Sequence, residues 1–288
     1  MTSEANESKP ASQTMLPNGG APSVISGAAP PPLIFMHILK TAGSSILSLI
    51  ESEYPPERIA YHYPADNIKR PEGAIDIGVG HVVFGYHKEL GYDEGRYFTF
   101  VRDPMKRMLS QINFALAHYP RNLPDIHTRG LRHAVVTRNF WFYDDTLVRT
   151  FAGIKDTIPF GKLDESAVEQ SLENARRHFF FIGEQENFEA DLRALVTFMG
   201  WRMPLTTPSR NIGVYEGYDY NDDDRRCLAE ITQYDTILWK ALKREKLIAN
   251  SPAPRESAVV ALLRASAGRA KQAARSLKRK MRSSLHRR

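Results

Sequence analysis

A lysine and a run of small residues follow the first apolar segment of the chain. Residues 33–38 are apolar apart from His37, Lys40 stands two positions later, and apolar residues recur at helical spacing from Ile46. This order predicts a strand, a tight turn and a helix. Because the first N–H groups of a helix lack partners within it and lie at the positive end of its dipole, they bind phosphate. The expected phosphate contacts are the residues of the turn: Lys40, Thr41, Ala42, Gly43, Ser44 and Ser45.

The turn differs from a Walker loop, which has the pattern G-x-x-x-x-G-K-[ST] with its lysine late in the loop. Here Lys40 comes first, and a single glycine, Gly43, follows three residues later. ATP or GTP hydrolysis is therefore disfavoured as a function. The alternative for this segment is an ordinary strand-to-helix turn with a surface lysine.

A second segment has the same order of elements. Residues 97–101 are aromatic and β-branched, which predicts a buried strand, and Asp103 with Pro104 forms a typical helix start. Arg102 then lies at the carboxyl end of the strand, where open α/β sheets bind ligands, and Ser110 lies two turns into the helix. An arginine fork and a serine hydroxyl placed in this way hold one dianionic phosphate from two sides. The alternative for Arg102 is an ion pair with a carboxylate.

These two segments resemble the nucleotide motifs of a known enzyme family. Residues 34–45 resemble the 5′-phosphosulfate loop of sulfotransferases that use 3′-phosphoadenosine 5′-phosphosulfate (PAPS), and residues 97–114 resemble their 3′-phosphate motif, R-D-P-x-x-R-x-x-S. The nearest resemblance is to carbohydrate sulfotransferases of the heparan sulfate 2-O-sulfotransferase type, sulfotransferase family 2. Their usual loop is H-I-P-K-T-A-G-[ST]-[ST], and this chain has Leu39 in place of the proline. The resemblance extends more weakly to about Gly213.

The resemblance implies a fold and a reaction. The fold is α/β, a P-loop-like three-layer arrangement with a central parallel sheet and helices on both faces. The reaction moves a sulfuryl group from PAPS, the co-substrate, to a hydroxyl of a carbohydrate or glycolipid acceptor. Lys40 would stabilise the leaving phosphate, and no metal is required. Bacterial origin or a reducing compartment fits better than the lumenal setting of eukaryotic relatives, which often carry disulfides.

A histidine between the two motifs is the expected base. His81 follows a predicted strand at residues 75–80, and its G-H-x-x-x-G pattern resembles the family segment that carries the catalytic histidine. The alternative is a histidine that satisfies a buried backbone group or binds the acceptor without taking its proton. His87 is a second candidate, Glu186 is a rival base, and His37 is expected to be structural.

Other polar residues provide supporting contacts. Arg107 reaches the nucleotide or pairs with an acid. Residues 208–213 resemble a late loop of the family that closes over the nucleotide, with Ser209 and Arg210 as donors, but a plain polar turn fits equally well. The basic residues between positions 119 and 140 either hold an anionic acceptor or form a solvated surface.

Composition divides the chain into three parts. Residues 1–31 are rich in Pro, Ala, Ser and Gly and are predicted to be disordered. Residues 32–250 form the expected sulfotransferase domain. Residues 251–288 form a basic, helical tail, in which positions 255–288 carry 11 Lys and Arg against one acid, Glu256. This tail suits an anionic membrane surface or a polyanion, with a solvated tail as the alternative; nucleic acid is not an expected partner.

The cysteine count and the apolar segments of the chain indicate its cellular compartment. A single cysteine, Cys227, excludes an intramolecular disulfide. No apolar run approaches the roughly 20 residues that span a bilayer, and the first residues lack the features of a signal peptide. We therefore expect a cytoplasmic protein, either free or peripheral at a membrane.

The strands expected at 33–38, 75–80, 97–101 and 178–183 form a parallel sheet with helices on both faces. Two further functions remain open on this fold. One is a non-catalytic protein that keeps the nucleotide fold and docks on membranes or polyanions through its tail. The other is a small-molecule kinase that uses ATP.

Overall fold

The computed structural model describes residues 31–63, 67–138, 140–202 and 218–249. The strands in these ranges form a single sheet with the order β3-β2-β4-β1-β5-β6. They are β1 Leu33–Met36, β2 Ile59–Tyr63, β3 Asn67–Lys69, β4 Ile77–Gly80, β5 Arg96–Val101 and β6 Phe179–Glu184.

The helices in the same ranges connect and cover these strands. They are α1 Gly43–Glu53, α2 Tyr86–Glu89, α3 Pro104–His118, α4 Ile126–Arg138, α5 Thr146–Ala152, α6 Glu165–His178, α7 Phe188–Met199, α8 Asp222–Glu230 and α9 Gln233–Arg244. The α/β class expected from the sequence is confirmed.

The four predicted strands are present as β1, β4, β5 and β6. β1 pairs in parallel with both β4 and β5, and β5 pairs in parallel with β6. The prediction of a wholly parallel sheet is wrong at one edge, where β3 runs antiparallel to β2. Only three residues separate these two strands, which is too short for the crossover that a parallel pair needs. Neither β2 nor β3 was predicted; β3 has only three residues and is largely polar.

Alternate residues of β1 face two different layers. Ile34 and Met36 pack in a core formed with α5, α6 and α9, whereas Leu33 and Phe35 pack in a second core formed with α1 and α7. Since side chains along a strand alternate between the two faces of a sheet, helices cover both faces. The expected three-layer arrangement is therefore confirmed.

The sheet order brings three loops together. β1 lies between β4 and β5, and all three strands run in the same direction. Their carboxyl ends consequently share one edge, where β4 is followed by His81, β1 by Lys40 and β5 by Arg102. These are the residues that the sequence singles out for chemistry.

The segment between positions 119 and 140 is mostly helical. Leu131, Ala134 and Val135 of α4 are fully buried against α3 and α8. Arg132 is exposed and forms a bidentate ion pair with Glu230, at 2.7 and 2.8 Å. One face of α4 is therefore part of the core, and the two roles expected for the basic residues of this stretch, acceptor binding or a solvated surface, stay predictions.

Candidate functional site

The turn after β1 has an unusual backbone. Lys40 and Ala42 both have a φ of 68°, in the left-handed region that side-chain-bearing residues seldom adopt. Such residues persist only where their surroundings enforce them, and they are concentrated at functional sites. Helix α1 begins immediately afterwards at Gly43; its N-cap residue, Ala42, makes no side-chain capping hydrogen bond, and no acidic residue lies in its first turn. The positive end of the α1 dipole is thus left for an anion from outside the turn.

The hydroxyls of the turn do not all point the same way. Thr41 is 1% exposed, and its Oγ1 donates to the carbonyl oxygen of Ile38 across 2.8 Å. The expected hydroxyl donor at this position is therefore directed inward, and Thr41 has only its backbone N–H to offer a ligand. Ser44 and Ser45 are partly exposed at the start of α1, the position at which the sequence predicts phosphate contacts.

Arg102 lies beside this turn. Its Nη1 donates to the main-chain carbonyl of Lys40 across 3.4 Å, and its Nε lies 4.0 Å from Oε1 of Glu186. The Nε atom is buried and has no hydrogen-bond partner within the described residues. An anion that reached this edge of the guanidinium would satisfy a donor that is otherwise left unpaired.

Helix α3 approaches the turn from the other side. The Nζ atom of Lys40 lies 4.0 Å from the centroid of the Phe114 ring, a cation–π contact. Ser110 lies one helical turn before Phe114 and is partly exposed, so the two share a face of α3. Burial, and then the charge of Arg102, lowers the pKa of Lys40. Lys40, Arg102 and Ser110 are therefore gathered around one region, and Phe114 is a site residue that the sequence did not predict.

His81 lies at the end of β4 with a defined tautomer. Its Nδ1 is 2.8 Å from the carbonyl oxygen of His37, and since a carbonyl only accepts, Nδ1 carries the proton. The neutral ring consequently has its lone pair on Nε2. Burial lowers the pKa of His81 from its ordinary value of 6.5 to about 4. His81 is therefore uncharged at pH 7.

Aromatic side chains surround this histidine. The rings of Tyr63 and Phe142 lie 5.0 and 6.2 Å from the His81 ring, centroid to centroid. Phe142 also belongs to a small apolar cluster with Val83 and Leu39. Leu39 thus links the turn after β1 to the His81 segment by packing.

The other candidates have different partners. His87 is buried, and its Nδ1 lies 2.8 Å from the hydroxyl of Tyr97. Arg107 is fully buried: it donates to Thr146 Oγ1 across 3.0 Å and lies 3.7 Å from Asp235. Of the two roles expected for Arg107, pairing with an acid is the one seen.

Two carboxylates lie at the carboxyl end of β6. Glu184 is the last residue of the strand, and Glu186 follows two positions later. Glu184 is buried and accepts from Lys243 Nζ at 2.8 Å and from Trp239 Nε1 at 3.0 Å, so its charge is compensated within the fold. Glu186 faces Arg102, as described above. Its position is that of an ion-pair partner of the predicted phosphate-binding arginine.

Several expected features lie outside the described residues. They are Ser209 and Arg210 of the late loop, the N-terminal segment 1–30, and the basic tail. Among the residues that are described, no group of three or more His, Cys, Asp or Glu is arranged to hold a metal ion. A search of those residues likewise finds no helix with the length and apolarity needed to cross a membrane.

Comparison with protein-family models and with curated proteins gives no match for this chain.

Proposed function

We propose that this protein is a PAPS-dependent sulfotransferase that acts on a hydroxyl of a carbohydrate or glycolipid. The observation that carries the proposal is the adjacency of two separate motifs, seen in the bond from Arg102 to the carbonyl of Lys40. The turn at 40–45 would bind the 5′-phosphosulfate, and Arg102 with Ser110 would bind the 3′-phosphate. A nucleotide with phosphates at both its 3′ and 5′ positions matches two adjacent anion sites.

The reaction replaces one S–O bond with another. The acceptor oxygen attacks sulfur in line, the bond from sulfur to the 5′-phosphate oxygen breaks, and the electron pair remains on that oxygen. Negative charge therefore grows on the leaving phosphate. Lys40 and the first N–H groups of α1 would stabilise it, as preorganised donors do in related group transfers.

His81 would accept the proton of the acceptor hydroxyl. Its Nε2 carries the lone pair because its Nδ1 donates to the His37 carbonyl, the arrangement that orients a general base. Burial of the ring lowers the pKa of His81 to about 4. The anionic nucleotide would raise this pKa and make the ring a better base once the site is filled.

Calorimetry with 3′-phosphoadenosine 5′-phosphate (PAP) against ATP tests the proposal. A sulfotransferase binds PAP and binds ATP weakly, because ATP lacks the 3′-phosphate. Tighter binding of ATP would favour a kinase, and binding of neither would favour a non-catalytic protein that docks through its tail. Transfer of label from [35S]PAPS to a panel of glycans and glycolipids then identifies the acceptor.

A further inference from the structure

His37 contacts both the turn at residues 40–45 and the proposed base, His81. Its side chain packs against the start of α1, where a Cβ on Gly43 would overlap the ring atoms Cδ2 and Nε2. Its Nδ1 lies 3.1 Å from the hydroxyl of Tyr63. Its carbonyl oxygen accepts from His81 Nδ1 at 2.8 Å, and its N–H donates to the carbonyl of Gly80 at 2.9 Å.

We propose, on the basis of the function proposed above, that His37 is a positioning residue that couples the phosphate turn to the base His81. Displacement of the turn at Gly43 moves the His37 ring, and movement of His37 changes the carbonyl that fixes the His81 tautomer. Filling of the turn by the nucleotide would in this way adjust the base before the acceptor reacts.

The contacts leave the His37 ring little freedom. It stacks on Phe35, with centroids 5.6 Å apart, and lies 4.6 Å from the His81 ring. With Gly43 on one side and the Tyr63 hydroxyl on another, a shift of the turn toward the sheet presses directly on the ring. Close-packed groups transmit such displacements because the surrounding interior does not compress.

The coupling acts through packing and one hydrogen bond, without a change of charge. Burial, and then the proximity of His81, lowers the pKa of His37 well below its ordinary value. Both rings are therefore neutral at pH 7. Within the described residues, His62 also acts electrostatically on His81, and Glu51 and Tyr61 act on Tyr63, whose hydroxyl lies beside His37 Nδ1. In the part of the chain that the structure describes, no hydrogen bond joins His62, Glu51 or Tyr61 to the His37 ring.

The test uses protein labelled with 15N in its histidines and a set of four variants: Gly43→Ala, His37→Ala, the double variant and Gly73→Ala. Gly73 is the matched control, because a Cβ there meets no atom within 4 Å. Nitrogen chemical shifts report the tautomer of His81, whose signals are assigned by their loss in His81→Asn. Calorimetry measures the affinity for PAP, which reports on the phosphate turn.

We expect Gly43→Ala to shift the His81 nitrogens and to weaken PAP binding by about tenfold, whereas Gly73→Ala changes neither. In the His37→Ala background the ring that meets the new Cβ is gone. There Gly43→Ala should leave the His81 nitrogens unshifted and change PAP affinity by less than about threefold. Equal effects of Gly43→Ala in both backgrounds would overturn the coupling.

The two proposals fail in different ways. If the parent protein does not bind PAP, the proposed function is wrong. The His81 nitrogen shifts of the variants, recorded without PAP, still test whether His37 couples the turn to His81. If PAP binds and Gly43→Ala leaves His81 unchanged, the coupling alone is wrong. Should the Ala variants unfold, Tyr63→Phe keeps the ring and removes only the hydroxyl on His37 Nδ1. A shift of the His81 nitrogens in that variant supports the coupling, and an unchanged spectrum overturns it.

Discussion

The guanidinium of Arg102 donates to the main-chain carbonyl of Lys40 across 3.4 Å, although 62 residues separate them in the sequence. The bond ties the end of β5 to the turn after β1. It also holds two cationic side chains close together, and the charge of Arg102 contributes to the lowered pKa of Lys40. Like charges in proximity are stabilised by an anion between them, which is the role proposed for the nucleotide.

Removal of the Lys40 charge should abolish most turnover. Lys40→Met replaces the ammonium over Phe114 by an uncharged, unbranched side chain of similar length and keeps a side chain at the left-handed φ, so the fold should be unchanged. We expect kcat to fall by about 10²–10³-fold, the usual effect of losing one stabilising donor. Steady-state kinetics with PAPS measures this. Lys106→Met, an exposed lysine on α3, is the control, and parent-level turnover in Lys40→Met would refute the leaving-group role.

Arg102 should recognise one phosphate selectively. Arg102→Ala is expected to weaken PAP binding by about 1.5–3 kcal/mol, the range for hydrogen bonds to charged groups. AMP lacks the 3′-phosphate, and its affinity should hardly change. Calorimetry with both ligands on both proteins gives the comparison. An equal loss for PAP and AMP would assign Arg102 to another part of the nucleotide.

Substitution of the two candidate bases, His81 and Glu186, should affect turnover in opposite ways. His81→Asn keeps an N–H that can donate to the His37 carbonyl but has no lone pair to accept a proton, so kcat should fall by about 10²–10⁴-fold. Glu186→Gln should retain turnover. Because Glu186 Oε1 lies 4.0 Å from Arg102 Nε, this change should also tighten PAP binding slightly by removing a competing negative charge. Steady-state kinetics of both variants decide between His81 and Glu186 as the base. Loss of turnover only in Glu186→Gln would assign the role to the carboxylate.

Local sequence patterns predicted the elements that carry the candidate site. The apolar run before Lys40 predicted β1 with its observed first residue and an end two residues too late, and the Asp103–Pro104 pair predicted the start of α3. Asp103 Oδ1 accepts from Lys106 N at 3.0 Å as a cap should. Both signals depend on neighbours within a few residues, which is the range that periodicity and capping describe.

The remainder depends on contacts between distant residues. Nothing in the local pattern places β1 between β4 and β5, and that order is what joins Lys40, Arg102 and His81. The depressed pKa of His81 arises from burial by the tertiary fold, and Phe114 enters the site because α3 crosses over Lys40. The inward hydrogen bond of Thr41 is likewise a property of the folded turn.

His81 should make stability depend on pH in acid. Its folded pKa of about 4 lies below the ordinary value of 6.5, so between these pH values the unfolded chain binds more protons. Stability is therefore complete above pH 6.5 and falls as the pH drops toward 4. His81→Asn should remove about 1–3 kcal/mol of that loss. Urea unfolding of both proteins at several pH values measures it, and parallel stability curves would contradict the buried neutral ring.

Arg107 belongs to the 3′-phosphate motif, yet its contacts predict a role in stability. Asp235 Oδ1 accepts from Val148 N near the start of α5, and Asp145 Oδ1 accepts from Asp235 N near the start of α9, each at 2.8 Å. Arg107 lies 3.7 Å from Asp235 and donates to Thr146.

Arg107→Met would leave the buried Asp235 without its cation, and removing one partner of a buried pair costs about 3–5 kcal/mol. Asp235→Asn keeps an oxygen for the Val148 N–H but removes the charge. In that background Arg107→Met should therefore cost clearly less, and urea unfolding of the four proteins of the cycle measures the difference. Additive losses would mean that Arg107 acts through packing alone, because an electrostatic link between Arg107 and Asp235 cannot survive the removal of either charge.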